Sequence, residues 1–268
     1  MTMLVRRILC VVPLCIAASW AAAASVYLED LTSVEVAAAL RAGTTTIILP
    51  VGGTEQNGPH MALGKHNVRA RLLAGRIAQA LGNTLVAPVL SYVPQGNIDP
   101  PTEHMRFVGT ISVPEAAFKS ILEAAARSFR QHGFLDIVLL GDSGNYQGAL
   151  RSVTTRLNQD FASSKVRVHF LSEYYQAVQS SYVAALAARG LSPGQIGTHA
   201  GTADTSLLMA LEPSLVRPEL FAQAAREGKS GGSGGDPRPS SAALGQLGVD
   251  AVVQQSVQTL RKALSAPR

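Results

Sequence analysis

The stretch "LDIVLLG", from Leu135 to Gly141, decides the fold class of this chain. It is a short, continuous apolar run, which predicts a strand buried on both faces of a sheet. Three further runs predict strands of the same sheet: "TTIILP" at 45–50, "TLVAPVL" at 84–90 and "KVRVHFL" at 165–171.

Helical patterns separate these predicted strands. Apolar residues recur at helical spacing from Val68 to Leu81, and a glycine follows where a C-terminal cap is expected. Another helix is predicted between Pro114 and Gly133, and two more over 147–161 and 173–189. Strands that alternate with helices predict an α/β fold with a mostly parallel sheet covered on both faces.

The first 24 residues have a different composition from the rest of the chain. A basic start, "MTMLVRR", precedes an apolar run that ends in alanines just before Ser25. This pattern predicts a signal peptide over 1–24, a single domain over 25–268, and a periplasmic or secreted protein. Cys10 and Cys15 both lie in the predicted signal peptide, so the mature chain would have no disulfide and no cysteine nucleophile.

The charge pattern excludes some classes of partner. The formal net charge of the whole chain is +5, its basic residues are scattered, and no stripe of alternating basic and aromatic residues occurs. We therefore expect no nucleic-acid partner, and no membrane partner once the signal peptide is cleaved. A hydrophobic fraction of 47% in 268 residues is ample for a folded core.

Unusual loops follow two of the predicted strands. "VGGTEQNGPH" comes after the first strand and "GDSGNYQ" after the third. Because ligands bind at the carboxyl ends of parallel strands, we expect both loops to form one cleft. Nearer the C-terminus, "IGTHAGTADTSLLMAL" enters a helix, and "GKSGGSGGDPRP" predicts a glycine loop at the surface or over a site.

Four stretches, in order and at similar spacing, resemble the motifs of the creatininase (creatinine amidohydrolase) family. They are "PVGGTEQNGPHMALGKH", "TEHMRFVGTIS", "GDSGNYQGAL" and "THAGTADTSLLMAL", and they extend from about Leu49 to Leu211. The resemblance implies an α/β three-layer sandwich, its mostly parallel sheet covered by helices on both faces, often in a homo-oligomer. It also implies that one or two divalent metals help to hydrolyse a C–N bond of a small-molecule amide or cyclic amide.

The metal site that the resemblance implies differs here from the family pattern. Glu55 matches the family's glutamate ligand, but Asn57, His66 and Ser143 stand where the pattern has His, Asp and His. An asparagine oxygen is a poor zinc ligand, and no acidic residue at position 66 could bridge two ions. We therefore expect one divalent ion, zinc first with manganese or iron as alternatives, bound by Glu55, His66 and Asp142.

Three further residues are assigned to catalysis on the same resemblance: His60, His199 and Asp204. The two histidines would contact the substrate or support the ligands, although a purely structural hydrogen bond is an alternative for each. Asp204 is also an alternative to Asp142 as the third metal ligand. His104, in "TEHMRF", is a weaker candidate for a direct role.

Two other functions are open from the sequence. "IVLLGDSGN" resembles the first block of the SGNH esterases, in which Ser143 would be the nucleophile. Those enzymes take their base from an Asp-x-x-His motif, but Ile196 stands three residues before His199, the last histidine of the chain. The remaining alternative is a non-catalytic binding protein whose metal site has eroded.

Overall fold

The computed structural model describes residues 25–267, so the predicted signal peptide lies outside the described residues. Its sheet is parallel throughout and four-stranded, in the order β2-β1-β3-β4. The strands are β1 (Thr46–Val51), β2 (Thr84–Val86), β3 (Asp136–Gly141) and β4 (Arg167–Phe170). All four predicted strands are present. Pro88, which cannot donate a backbone hydrogen bond, follows soon after the end of β2.

Helices connect and cover the strands. They are α1 (Ser33–Arg41), α2 (Lys65–Leu81), α3 (Glu115–His132), α4 (Gln147–Asp160), α5 (Ser172–Ala177), α6 (Val183–Ala187), α7 (Pro193–Ile196), α8 (Thr202–Leu211), α9 (Phe221–Glu227) and α10 (Ala242–Ser265). A π-helical turn, Val178–Tyr182, joins α5 to α6, so the helix predicted over 173–189 contains three segments. None of the helices in the described range is both long and apolar enough to span a bilayer.

The sheet separates two hydrophobic cores. Ile47 and Leu139 belong to the core that α3 and α4 cover, whereas Ile48 and Leu140 belong to the core that α2, α5, α8 and α10 cover. Neighbouring residues of a strand point to opposite faces, so a strand that is apolar at every position can be buried on both. The predicted three-layer α/β sandwich is confirmed.

The predicted helix ends follow from glycine. Gly82 after α2 and Gly133 after α3 adopt left-handed conformations, with φ of 85° and 103°. A residue with a Cβ is strained there, which explains why both helices stop at these positions.

The pairing of β1 with β3 brings the two candidate loops together. The register runs from Thr46 opposite Asp136 to Val51 opposite Gly141, so both strands end at the same level. The Asp142 N–H donates to the Val51 carbonyl across a distance of 3.1 Å. The loops that follow the two strands therefore start side by side at the carboxyl edge of the sheet.

Candidate active site

A cavity of about 350 Å³ lies at this edge of the sheet, a size suited to a small ligand. The loops after β1 and β3, the start of α2, the start of α8 and the glycine segment 232–234 all contribute to its wall. The glycine loop was predicted to lie either at the surface or over a site, and it borders the site. The charged side chains and histidines in the wall are Glu55, Lys65, His66, Arg69, His104, Asp142, His199, Asp204 and Lys229.

Glu55, His66 and Asp142 converge as a hydrogen-bonded chain. His66 Nε2 lies 2.8 Å from Glu55 Oε1, and His66 Nδ1 lies 2.6 Å from Asp142 Oδ2. Burial and the charge of Lys65 would by themselves lower the pKa of His66. The Glu55 carboxylate and the two hydrogen bonds outweigh them, so the pKa is raised. A protonated imidazole donates from both nitrogens, which matches its two carboxylate partners.

The three predicted metal ligands converge in the structure, where His66 and Asp142 also have other protein partners. Both ring nitrogens of His66 are hydrogen-bonded, and both oxygens of Asp142 have partners as well. Asp142 Oδ1 accepts from the Tyr174 hydroxyl at 2.6 Å, and Oδ2 also lies 3.3 Å from Arg69 Nε. His66 and Asp142 together brace the two loops, and each of their side-chain nitrogen and oxygen atoms already has a polar partner.

Asp204 is a fixed anion in the wall of the cavity. Its Oδ1 accepts from Arg69 Nη1 at 2.6 Å, and its Oδ2 accepts from Lys65 Nζ at 3.3 Å and from the Ala200 N–H at 3.0 Å. Burial raises the pKa of Asp204, but the charges of Lys65 and Arg69 outweigh it and hold the pKa well below its usual range. Both oxygens therefore already accept hydrogen bonds from cationic side chains or the backbone.

A different trio has the geometry of a metal site: Glu55, His104 and His199. One donor atom from each lies within 4.8 Å of the other two. Glu55 Oε2 is buried and has no hydrogen-bond partner, with His104 Nε2 at 3.7 Å. His199 Nδ1 lies 3.7 Å from Glu55 Oε1. One carboxylate and two imidazoles form a typical set of ligands for a catalytic zinc ion.

The protonation states in this trio suit a metal. Burial raises the pKa of Glu55, but His66 and Lys65 outweigh it, so the pKa is lowered and the carboxylate is charged. Burial, followed by Lys65, lowers the pKa of His199 to about 4, and burial also lowers that of His104. Neutral imidazoles keep a lone pair for a metal.

Gln56 orients the two histidines. His199 Nε2 lies 3.0 Å from the Gln56 carbonyl oxygen, and a donated proton there leaves Nδ1 free to face Glu55. Gln56 Nε2 lies 3.2 Å from His104 Nδ1. Gly232, at φ 84°, packs so closely that a Cβ would collide with the Gln56 side chain. A glycine is therefore required where the glycine loop closes on the site.

His60 lies outside the wall of the cavity, unlike the other residues predicted for catalysis. It is completely buried, its Nε2 lies 3.0 Å from Thr205 Oγ1, and the edge of its ring packs against Phe221. Burial, then the charge of Lys65, lowers its pKa to about 4. His60 thus has the structural hydrogen bond that is one of the two alternatives open from the sequence.

The residues that replace family ligands have other partners. Asn57 Nδ2 donates to the carbonyls of Glu55 and Ala62, at 2.9 and 3.1 Å, and so braces the loop. Ser143 lines the cavity, and its Oγ accepts from the Asn145 N–H at 3.5 Å. Within residues 25–267 no histidine forms a hydrogen bond with Ser143 Oγ, so the esterase interpretation has no general base.

His104, the weaker candidate from the sequence, lies outside the regular helices and strands. It belongs to the long irregular loop after β2, in a short 3₁₀ turn, Glu103–Arg106. Glu103 has a φ of 48°, which is uncommon outside glycine. The motif "TEHMRFVGTIS" was the signal that could have identified His104, since its Glu-His pair matches the family pattern.

Comparisons with known proteins agree with the fold and the motifs. The family model described as creatininase, creatinine amidohydrolase, matches residues 29–260. A creatinine amidohydrolase of Pseudomonas putida is 29% identical over 202 residues, which cover 72% of this chain and 74% of that protein. A mycofactocin precursor peptide peptidase of Mycolicibacterium smegmatis is 30% identical over 112 residues, which cover 40% of this chain and 43% of the relative.

Solved structures share the fold. A crystal structure of creatinine amidohydrolase (creatininase) superimposes with a TM-score of 0.75 at 24% identity, covering 91% of this chain and 99% of the other. A creatininase described as the Mn form has a TM-score of 0.73, and a mutant creatininase described as Zn-Zn type has 0.71. Each of these two is 24% identical and covers 91% of this chain and 100% of the other.

Proposed function

The chain belongs to the creatininase family of amidohydrolases and is an enzyme of that family, and we propose that it hydrolyses a C–N bond in a small amide or cyclic amide with the help of one divalent metal ion. The observation that carries this proposal is the convergence of Glu55, His104 and His199 in the wall of a cavity of suitable size. Zinc is the first choice of metal, with manganese or iron as alternatives.

The donor atoms of Glu55, His104 and His199 have the charge and protonation states that a metal ion requires. Glu55 Oε2 is a buried anionic oxygen without a hydrogen-bond partner, which costs free energy unless a cation or water satisfies it. The two neighbouring histidines are held neutral by burial, so they can complete a three-ligand set. Three protein ligands leave one position for water.

A bound divalent ion would lower the pKa of a water molecule and polarise the amide carbonyl. The chain itself supplies the alignment of the ligands. His66 and Lys65 keep the Glu55 carboxylate ionised, and the Gln56 carbonyl fixes the orientation of His199. The glycine segment 232–234 borders the cavity.

Location and assembly are also part of the proposal. The basic and apolar start of the chain supports export to the periplasm or outside the cell. The resemblance to the family supports a homo-oligomer, and a small-molecule amide as the substrate.

Metal analysis of the purified mature protein tests the proposal. We expect about one equivalent of metal per chain. A chelator should remove the metal and abolish amide hydrolysis, and added metal should restore both. Glu55→Gln, His104→Ala and His199→Ala should each lose bound metal. His132→Ala, an exposed histidine at the end of α3, is the matched control and should retain it.

The substrate assay uses a panel of linear and cyclic amides with release of the amine as the signal. A wild-type protein that carries no metal, cleaves none of these amides and does not respond to chelators would contradict the enzyme proposal. The non-catalytic binding protein would then be the better description.

A further inference from the structure

Lys65 is a fully buried cation in the wall of the cavity. Its Nζ lies 3.3 Å from Asp204 Oδ2 and 3.7 Å from Glu55 Oε1. A buried ammonium group is unfavourable unless carboxylates compensate its charge, and here two of them do. The ammonium thus lies between two carboxylates, where a metal ion would otherwise be attracted.

The first turn of α2 makes the placement of this charge unusual. Lys65 is the first residue of the helix, the turn has no acidic residue, and the cap is Gly64, which offers no side chain. A cation at a helix N-terminus opposes the helix dipole. The helix therefore gains nothing from a lysine here, and the stabilising partners of the ammonium are the carboxylates of the site.

Almost all carboxylate oxygens of the site already accept a hydrogen bond from another side chain. Glu55 Oε1 accepts from His66, Asp142 accepts from Tyr174 and His66, and Asp204 accepts from Arg69 and Lys65. Of the six oxygens of these three residues, Glu55 Oε2 alone has no hydrogen-bond partner. One free anionic oxygen can support one metal ion, but a second ion would have to displace a cationic side chain.

We propose that Lys65 acts as a built-in cation that excludes a second metal ion from the site. This inference rests on the proposed function, because it takes the first ion to be bound by Glu55, His104 and His199. The ammonium of Lys65 lies within 3.7 Å of Glu55 Oε1 and 3.3 Å of Asp204 Oδ2, and its positive charge offsets part of their negative charge. A structural relative is described as Zn-Zn type. In this chain, on the present proposal, Lys65 takes the place of a second ion.

Removing the ammonium tests the proposal. Lys65→Met keeps the length and apolar stem of the side chain but frees Glu55 Oε1 and Asp204 Oδ2 from their cation. Asp204 retains Arg69 and the Ala200 N–H, and Glu55 retains His66, so the fold keeps its other contacts. We expect the metal content to rise from one to two equivalents of zinc per chain.

The measurement is native mass spectrometry of the metal-free full chain, titrated with zinc at matched free concentrations. Lys119→Met is the control, because Lys119 forms a partly exposed ion pair with Glu115 on α3, and it should bind one equivalent like wild type. Adding Asp204→Asn to Lys65→Met should return the content to one equivalent, because the second ion then lacks a carboxylate.

Each outcome has a definite meaning. One equivalent in both wild type and Lys65→Met overturns the role of Lys65 and leaves the proposed function intact. No metal in wild type but one equivalent in Lys65→Met contradicts the proposed function and supports the exclusion. No metal in either contradicts both. If Lys65→Met does not fold, cadmium-113 NMR of the wild-type chain decides: one resonance at saturation supports the proposal, and two overturn it.

Discussion

Arg69→Met should destabilise the protein strongly although it removes no predicted metal ligand. The guanidinium is almost completely buried, with Nη1 2.6 Å from Asp204 and Nε 3.3 Å from Asp142. Both carboxylates raise the pKa of Arg69 against the effect of burial, so its charge is permanent. Removing it leaves two buried carboxylates with one cation fewer.

The structure sets the expected size of this loss. Removing one partner of a buried ion pair costs about 3–5 kcal/mol. Asp142 retains His66 and Asp204 retains Lys65, so we expect the lower end, about 3 kcal/mol of the free energy of unfolding. A loss of that size is a change of roughly a hundredfold in the folding equilibrium.

Urea unfolding followed by far-ultraviolet circular dichroism measures the loss, on protein kept free of metal by a chelator. Arg71→Met is the control on the same helix: Arg71 is partly exposed, lies 3.5 Å from Glu29 and stacks on Tyr27. It should cost no more than about 1–2 kcal/mol. Adding Asp204→Asn should recover part of the Arg69→Met loss. The charge argument is refuted if both single variants lose the same stability.

Two other substitutions test the remaining assignments. Ser143→Ala should leave metal content and amide hydrolysis largely unchanged, because its Oγ has no histidine partner in the described part of the chain; loss of a true serine nucleophile would instead cost on the order of 10⁶-fold. His60→Gln should flatten the fall in stability between pH 6.5 and about 4. The unfolded chain binds a proton on His60 throughout that window and the folded chain does not, since burial lowers its pKa to about 4. Urea unfolding at several pH values checks this, and an unchanged pH slope would contradict it.

The position of the site was predictable from local sequence because strands, turns and their order are local properties. The apolar runs gave β1 and β3, and the two loops after them were expected in one cleft. The hydrogen bonds of His66 to Glu55 and to Asp142 show that the two loops meet in that cleft. Parallel strands that pair in register must deliver their following loops to the same edge.

What only the tertiary structure decided is which of these side chains are free and which have partners. His66 was a reasonable ligand by residue type, but two carboxylates on different loops already hold both of its nitrogens. His104 lies in an irregular loop without periodicity, and it faces Glu55 Oε2, a buried carboxylate oxygen without a hydrogen-bond partner.

The sequence by itself determined the α/β class, the C-terminal ends of α2 and α3 and the family motifs, because each depends on residues close together in the chain. The tertiary structure decided the charge balance of the site. Lys65 and Arg69 are ordinary residues of α2 in the sequence, and they become buried cations only when α8 brings Asp204 against them. Their partner is more than 130 residues away, with separations of 139 and 135 residues, so no local pattern could have revealed the pairing.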